Sequence, residues 1–227
     1  MFVDSIRAVP AGVGDYSASL PVVSQLSLAD GWRLEHPVTF LTGANGSGKS
    51  TLIEAIACRL GFNAAGGPQA DFTRGTEWTT SKLHSRLYMT GSKPLLGGYF
   101  LRSETHYEVC DHVHAMSHGQ SIMAVADEYF FNKWLFILDE PEAGLSPVHQ
   151  MALLGYISRI ARGGGQFIIA THSPILLAVP GAEIYHLDAG LERVRYDDHP
   201  LVTATTDFFA HRTERVRCAI EKVRRQG

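Results

Sequence analysis

Cysteine is scarce in this chain, which has three cysteines in 227 residues. Three scattered thiols cannot form the disulfide framework of a small secreted protein, so we expect reduced thiols and a cytoplasmic location. An excess of positive charge is also lacking, because the formal net charge is −3. The overall charge therefore gives no support for nucleic acid as a partner.

Long uninterrupted apolar runs are absent as well. The longest apolar region, 167–187, is broken by His172, two prolines and Glu183, so it predicts a buried strand and its continuation and not a membrane span. The first residues contain no basic stretch followed by an apolar core, and we expect no signal peptide there. A hydrophobic content of 45% over this length suits one α/β domain, 1–227, with a fully buried sheet.

The most informative segment present is Gly-Ala-Asn-Gly-Ser-Gly-Lys-Ser-Thr at 43–51, which matches the phosphate-binding pattern G-x-x-x-x-G-K-[ST]. An apolar extended run precedes it and apolar residues at helical spacing follow it, in the order that the motif requires. The glycines allow consecutive N–H groups to face phosphate oxygens at the positive end of a new helix. Lys49 would reach the β- and γ-phosphates, and the Ser50 hydroxyl would bind Mg²⁺. The predicted nucleotide-binding residues are Gly43, Asn45, Gly46, Ser47, Gly48, Lys49, Ser50 and Thr51.

Four short apolar runs predict the strands of a mostly parallel sheet. They cover residues 38–41, 135–138, 166–170 and 183–187. Between the second and third run, residues 148–162 carry apolar side chains at helical spacing and are followed by three glycines, which predicts a crossover helix that ends there. The order strand, helix, strand is typical of parallel α/β sheets.

The remaining segments predict edge elements, loops and helices. Alternation over 2–9 and 16–23 predicts an antiparallel β-edge near the N-terminus. Residues 63–101 are rich in Gly, Thr and Ser, which predicts loops and short elements inserted beside the nucleotide site. Helices are expected over 122–131 and 211–225.

Polar residues follow two of the predicted strands. Asp139 and Glu140 end one of them, at the sheet edge where ligands bind in such folds. Asp139 would hold the Mg²⁺ shell, mostly through water, and Glu140 would accept the proton of the water that attacks the γ-phosphate. His172 follows the next strand and would hydrogen-bond the γ-phosphate, although a strand-end histidine on its own is usually structural.

The segment Met-Ser-His-Gly-Gln-Ser at 116–121 precedes the strand that carries the acids. Taken alone, it is a polar turn that would cap the helix over 122–131, with Ser117 or Ser121 as the N-cap. Its position, however, is that of the signature sequence of ATP-binding-cassette (ABC) ATPases. With the phosphate loop, the two acids and His172, it completes the motif order of that superfamily.

The chain therefore resembles an ABC ATPase, and it is most similar to the soluble SMC, RecF and overcoming-lysogenization-defect side of the superfamily. Within it, small stand-alone bacterial predicted ATPases of the AAA family are the nearest resemblance. The similarity is carried by HPVTFLTGANGSGKST, FLRSE, SHGQS, LDEPEAGLSP and QFIIATHSPILLA, at 36–51, 100–104, 117–121, 138–147 and 166–178. The implied fold is an α/β P-loop NTPase: a mostly parallel sheet flanked by helices, an antiparallel β-edge near the N-terminus and a small inserted subdomain, 63–131.

The resemblance implies a mechanism in which two subunits pack head to tail around two ATP molecules. Ser117, Gly119 and Gln120 of one subunit would complete the γ-phosphate site of the other. Hydrolysis would then open this ATP-dependent homodimer. The implied catalytic residues are Glu140, His172 and Lys49, the cofactors are ATP and Mg²⁺, and the preference for ATP rests on the resemblance alone.

Three positions depart from the family pattern. His118 stands where transporters usually have glycine in the signature, and Ser146 stands where many relatives have aspartate. The lid position has Arg102-Ser-Glu104 in place of a glutamine. Glu104 would then approach the metal, or Arg102 the phosphate.

Several functions remain open on the sequence alone. The leading hypothesis is a soluble ATP hydrolase that drives or gates an unidentified protein partner. The first alternative is the nucleotide-binding subunit of a transporter, against which the altered signature and lid argue. The second is a slow ATP-dependent switch that controls a nuclease or toxin partner. A nucleotide kinase would need neither a signature element nor His172.

Overall fold

The buried apolar runs of the sequence meet in one seven-stranded sheet, accompanied by a smaller three-stranded sheet. The structure is a computed structural model that describes residues 1–9, 16–28, 31–69, 81–103, 118–188 and 190–225, with only the backbone at 118–121. In chain order the described strands are β1 (Ser5–Ala8), β2 (Trp32–Arg33), β3 (Val38–Thr42), β4 (Gly67–Pro68), β5 (Leu87–Thr90), β6 (Gly98–Arg102), β7 (Leu135–Asp139), β8 (Gln166–Ala170), β9 (Glu183–His186) and β10 (Glu192–Val194). The described helices are α1 (Pro21–Leu26), α2 (Lys49–Arg59), α3 (His118–Tyr129), α4 (Pro147–Arg162), α5 (Pro200–Ala210) and α6 (Arg212–Arg224).

The strand order of the large sheet is β10-β9-β3-β8-β7-β6-β4. Its five inner strands, from β9 to β6, are mutually parallel, while β10 and β4 pair antiparallel at the two edges. Every residue of β3, β7 and β8 is buried. Both faces of these strands are covered, which explains why they are continuously apolar in the sequence.

The two faces of the sheet pack against different layers. Phe40, Phe136 and Ile169 belong to the apolar core that includes α3 and α4. Their strand neighbours, such as Leu41 and Ile168, belong to the core formed with α1, α2 and the small sheet. This alternation follows from the side-chain period of two in a strand.

The parallel register brings the strand ends to one edge of the sheet. Asp139 at the end of β7 lies opposite Arg102 of β6 and opposite Ala170 of β8. Two strands further along, Thr42 of β3 lies opposite His186 of β9. The residues that follow these ends are therefore neighbours in space, as expected for a ligand-binding edge.

The predicted crossover helix is confirmed as α4. The hydroxyl of Ser146 accepts a hydrogen bond from the backbone N–H of His149, Pro147 occupies the first turn, and Gly163 is the C-cap. These are the start and stop signals expected of a helix. Among the helices of the described residues, none combines the length and the low polarity needed to cross a bilayer.

Two predictions for the first half of the chain are wrong. Residues 16–23 form a 3-10 turn and the start of α1 in place of an edge strand, because Pro21 fits the first helical turn and Val22, Val23 and Leu26 share one buried face. Residues 98–101 were expected among loops and short elements beside the nucleotide site, but with Arg102 they form β6, a strand of the large sheet. The antiparallel edge itself is present as the order β2-β1-β5.

The helix predicted over 122–131 begins earlier, at His118, and ends at Tyr129. Helix α5 was not predicted, and α6 falls within the expected 211–225. The limits 63–131 for an inserted subdomain stay a prediction; of the strands in that range, β4 and β6 belong to the large sheet and β5 to the small one. The predicted α/β class with a mostly parallel sheet is confirmed.

Candidate functional site

The phosphate-binding segment forms the turn between β3 and α2, as the sequence pattern predicts. Gly48 is the N-cap of α2, with φ +96°, and among the described residues no side-chain cap is found at that helix start. Gly43 has φ +140°, and a Cβ there would lie 2.7 Å from Oδ1 of Asp188. Uncapped N–H groups at a helix N-terminus attract anions, so the turn is suited to a phosphate chain.

Lys49 is buried and folds back over this turn. Its Nζ donates hydrogen bonds to the carbonyl oxygens of Gly43, at 2.9 Å, and Ala44, at 3.0 Å. Burial lowers the pKa of Lys49 below its ordinary value, while the nearby carboxylates of Glu140 and Asp139 oppose that shift. The ammonium group therefore lies against the phosphate loop with carboxylates close by. Of the other predicted loop residues, Asn45, Gly46 and Ser50 are exposed, and Ser47 and Thr51 are half-buried.

Ser50 and Asp139 are brought together although they lie far apart in the sequence. The Ser50 hydroxyl donates a 3.2 Å hydrogen bond to Oδ1 of the buried Asp139. Within the described ranges, no group of three or more His, Cys, Asp and Glu side chains forms a metal cluster. A hydroxyl beside a carboxylate suits Mg²⁺, which binds few protein oxygens together with substrate phosphates and water. The third predicted metal ligand, Glu104, lies outside the described residues.

Glu140 and His172 face each other at the ends of β7 and β8. Nε2 of His172 lies 3.4 Å from Oε1 of Glu140, and this buried nitrogen makes no hydrogen bond to any described residue. The backbone N–H of Glu140 donates to the carbonyl oxygen of Ala170 at 2.9 Å. Glu140 also has φ +51°, a left-handed conformation that is costly for a non-glycine residue and is often found at functional sites.

Glu142 is a site residue that the sequence reasoning did not identify. Its Oε1 accepts a 2.5 Å hydrogen bond from the backbone N–H of His172. Burial raises the pKa of Glu142, and the negative charge of Glu140 raises it further. The sequence signal that could have pointed to Glu142 is its place in Asp-Glu-Pro-Glu, close to the strand end. A carboxylate that is buried there needs a hydrogen-bond donor nearby.

At the lid position, Arg102 and Ser103 make hydrogen bonds to neighbouring parts of the chain. The guanidinium of Arg102 donates to Oε2 of Glu54 at 2.7 Å and to the carbonyl oxygen of Ala64 at 3.3 Å. These contacts hold Arg102 in the chain on its own, and its approach to the phosphate stays a prediction. The hydroxyl of Ser103, which was not predicted as a site residue, lies 2.8 Å and 2.6 Å from the carbonyl oxygens of Asp139 and Glu140.

The signature segment is described only in part. Ser117 lies outside the described residues, while Gly119 and Gln120 lie in the first turn of α3. Ser121 is inside α3, so the expectation that it caps the helix is wrong. A helix start at this place offers N–H groups for an anion.

Comparisons with known proteins identify a family and several relatives. A family model described as "AAA domain, putative AbiEii toxin, Type IV TA system" matches residues 38–109 and 113–178. The chain is 27% identical over 201 residues to the hemin import ATP-binding protein of Nocardia farcinica (strain IFM 10152), covering 75% of this chain and 69% of that protein.

A second group of relatives is longer than this chain. The chain is 26% identical over 197 residues to a "Putative ABC transporter ATP-binding protein" of Staphylococcus aureus (strain COL), and the match covers 72% of the chain and 33% of that protein. Among solved structures, a nucleotide-free ATP-binding cassette from an ABC transporter aligns with a TM-score of 0.48 and 13% identity, over 90% of this chain and 95% of that one.

Proposed function

The chain belongs to the AAA-domain family whose model matches residues 38–109 and 113–178, and from that premise we propose that it binds Mg·ATP and hydrolyses it to drive or gate a protein partner. It is an ABC-like P-loop ATPase domain. We further propose roles for single residues, an ATP-dependent dimer and a protein partner.

One observation carries the proposal: the ends of β3, β7 and β8 assemble the groups that phosphoryl transfer to water requires. The phosphate loop carries Lys49, Ser50 donates to Asp139 at 3.2 Å, and His172 lies 3.4 Å from Glu140. These pairs come from three separate segments of the chain. Such convergence at the carboxyl edge of a parallel sheet supports a nucleotide site more strongly than any one motif does.

Each group has a separate task in the proposed reaction. The N–H groups of the loop and the Lys49 ammonium hold the β- and γ-phosphates. Ser50 and Asp139 would hold Mg²⁺, which, when bound, neutralises charge on the phosphate oxygens. Glu140 accepts the proton of the attacking water. Nε2 of His172, which no described residue hydrogen-bonds, donates a hydrogen bond to the γ-phosphate.

A head-to-tail dimer would complete the site. Ala44, Asn45 and Gly46 of the phosphate loop are exposed in the single chain, and Gly119 and Gln120 lie in the first turn of α3. We propose that this helix start meets the γ-phosphate held by a second copy, so that ATP links the two subunits and its hydrolysis separates them.

The names of the relatives favour a second function. Two of them are ATP-binding proteins of an importer and of a proposed ABC transporter, so the chain would then be the nucleotide-binding subunit of a transporter. The family description, which names a toxin, instead suits an ATP-dependent switch that controls a toxin or nuclease. Co-purification with a membrane-spanning protein supports the first of these, and co-purification with a toxin or nuclease supports the second.

The test uses Glu140→Gln, with Glu128→Gln as a matched control because Glu128 is an exposed glutamate of α3. We expect Glu140→Gln to lower the rate of ATP hydrolysis by roughly 10²–10⁴, the usual contribution of a general base, and Glu128→Gln to leave it unchanged. Light scattering after size exclusion should show a dimer of Glu140→Gln with Mg·ATP, and Ser117→Arg should abolish it. Unchanged hydrolysis in Glu140→Gln would refute its role, and a monomer that binds ATP would refute the dimer.

A further inference from the structure

Asp188, just after β9, is bound to the phosphate loop. Its Oδ1 accepts a 2.6 Å hydrogen bond from the backbone N–H of Ala44. This short contact between an amide and a carboxylate belongs to the stronger class of protein hydrogen bonds. Neither the motifs nor the comparisons give Asp188 a role.

The shape of the loop start fits this carboxylate. A Cβ at Gly43 would lie 2.7 Å from Oδ1 of Asp188 and 2.9 Å from Oγ of Ser47. A backbone hydrogen bond also joins the segment before Asp188 to the residue before Gly43, because the N–H of Leu187 donates to the carbonyl oxygen of Thr42 at 2.9 Å. Asp188 therefore fills the space that the absence of a side chain at Gly43 leaves open.

The second oxygen of the carboxylate is held by a chain of polar side chains. Oδ2 of Asp188 lies 3.1 Å from Nε2 of His186. Nδ1 of His186 lies 3.1 Å from the hydroxyl oxygen of Thr42, which in turn lies 2.8 Å from Nε2 of His199. Thr42 and His199 are both buried, so the inner part of this chain is shielded from water.

The direction of the hydrogen bonds follows from the inner end of the chain. Nδ1 of His199 accepts from the backbone N–H of Leu201 at the start of α5, so a neutral His199 carries its proton on Nε2 and donates to Thr42. The Thr42 hydroxyl can then donate to Nδ1 of His186 or to the carbonyl oxygen of Tyr185 at 3.2 Å. With the first choice, His186 donates its Nε2–H to Asp188, and each group in the chain is satisfied.

We propose that Asp188 is a positioning residue for the phosphate loop, and that His186, Thr42 and His199 fix its carboxylate against the N–H of Ala44. The proposal rests on the proposed function only in that nucleotide binds at this loop. A loop that is held in place before the ligand arrives loses less conformational freedom on binding. Asp188 also lies among the carboxylates that favour the charged form of Lys49.

The position of Asp188 determines which binding constants it affects. Its contact is at Ala44, at the start of the loop, whereas Glu140 and His172 lie at the ends of β7 and β8. Misplacing the loop should therefore weaken the binding of ATP and the binding of ADP by the same factor. A change confined to the protein groups that contact the γ-phosphate would weaken the binding of ATP alone.

The test compares Asp188→Ala, Asp188→Asn and the exposed control Asp197→Ala, each in the Glu140→Gln background so that bound ATP persists. We expect Asp188→Ala to raise the Kd of both Mg·ATP and Mg·ADP about tenfold, the value of one hydrogen bond to a charged group. Asp188→Asn should restore most of the affinity, because its amide oxygen still accepts from Ala44. Its N–H₂ can donate to Nε2 of His186 once that ring carries its proton on Nδ1 and the Thr42 hydroxyl donates to the carbonyl oxygen of Tyr185. Asp197→Ala should bind like the parent.

The outcomes separate this inference from the proposed function. If the parent binds neither nucleotide, or if Lys49→Ala does not weaken binding, the proposed function fails. If the parent binds both and Asp188→Ala binds them equally well, the positioning role is overturned. It is also overturned if Asp188→Ala weakens ATP alone.

A second pair of variants covers the case in which Asp188→Ala does not fold. Thr42→Val removes the hydroxyl at constant shape and leaves His186 and His199 without their shared partner, so we expect about threefold weaker binding of both nucleotides. Thr42→Ser keeps the hydroxyl and should restore the affinity. Equal binding by Thr42→Val, Thr42→Ser and the parent would contradict the proposed role of the chain.

Discussion

Nε2 of His172 lies 3.4 Å from Oε1 of Glu140, and no described residue hydrogen-bonds that nitrogen. The contact is a consequence of sheet register, because Asp139 is paired with Ala170, Glu140 directly follows Asp139, and His172 lies two residues after Ala170. A buried nitrogen without a partner is costly. A phosphate oxygen would supply the missing hydrogen bond.

His172→Ala should therefore reduce kcat for ATP hydrolysis by about 10²-fold, the usual effect of removing one group that stabilises a transition state. The Kd of ADP should not change, since the imidazole is assigned to the γ-phosphate alone. Single-turnover hydrolysis and equilibrium binding measure the two quantities. His211→Ala, at an exposed histidine between α5 and α6, is the control, and equal rates in both variants would contradict the assignment.

Arg102→Ala should destabilise the protein and leave nucleotide binding intact. The Arg102 guanidinium and the Glu54 carboxylate are 2.7 Å apart, with side chains 15% and 5% exposed. Removing one partner leaves a buried charge, so we expect the free energy of unfolding in urea to fall by about 3 kcal/mol. The double variant Arg102→Met with Glu54→Met should recover most of that loss. Weaker ATP binding without a loss of stability would instead indicate a phosphate contact for Arg102.

Much of the large sheet could be predicted because its strands are buried on both faces. The runs at 38–41, 135–138 and 166–170 became β3, β7 and β8 with ends that differ by at most one residue. Residues 98–102 were missed although all but Arg102 are buried in β6. Their run is short and follows a segment with Gly, Ser and Pro, so local composition outweighed the apolar signal.

The site was predictable where a motif names its own residues. Lys49, Ser50, Asp139, Glu140 and His172 are close together as the motif order implies. Glu142 and Asp188 were missed for a different reason. Their roles depend on contacts with residues far along the chain, His172 and Ala44, and a pattern within one segment carries no information about such pairs.

The stability of the protein should depend on pH through His199. Burial lowers the pKa of His199 below its ordinary 6.5, and the neighbouring His186 ring shifts it in the same direction. As pH falls below 6.5, the unfolded chain takes up a proton at this position while the folded chain does not, so stability is lost. His199→Asn keeps a helix-capping side chain and does not titrate. Its stability relative to the parent in urea should rise as pH falls from 7 to 5; a constant difference would contradict the prediction.

Glu142→Gln tests the opposite sign of pH dependence. The pKa of Glu142 is raised above its ordinary 4.5, mainly by burial, so its contribution to stability is fully present below pH 4.5 and is lost as pH rises through the folded pKa. Glutamine keeps the oxygen that accepts from the His172 N–H and does not titrate.

Urea unfolding of the two proteins should therefore show Glu142→Gln gaining stability relative to the parent as pH rises from 4.5 to 7.5. Hydrolysis by Glu142→Gln should stay close to that of the parent, because His172 keeps its backbone anchor. Glu142→Ala removes this anchor and should lower kcat several-fold, in the range expected for losing one hydrogen bond to a charged group. A stability difference that is independent of pH would contradict the raised pKa of Glu142. Equal kcat in the alanine and glutamine variants would show that Glu142 does not hold His172 in its working position.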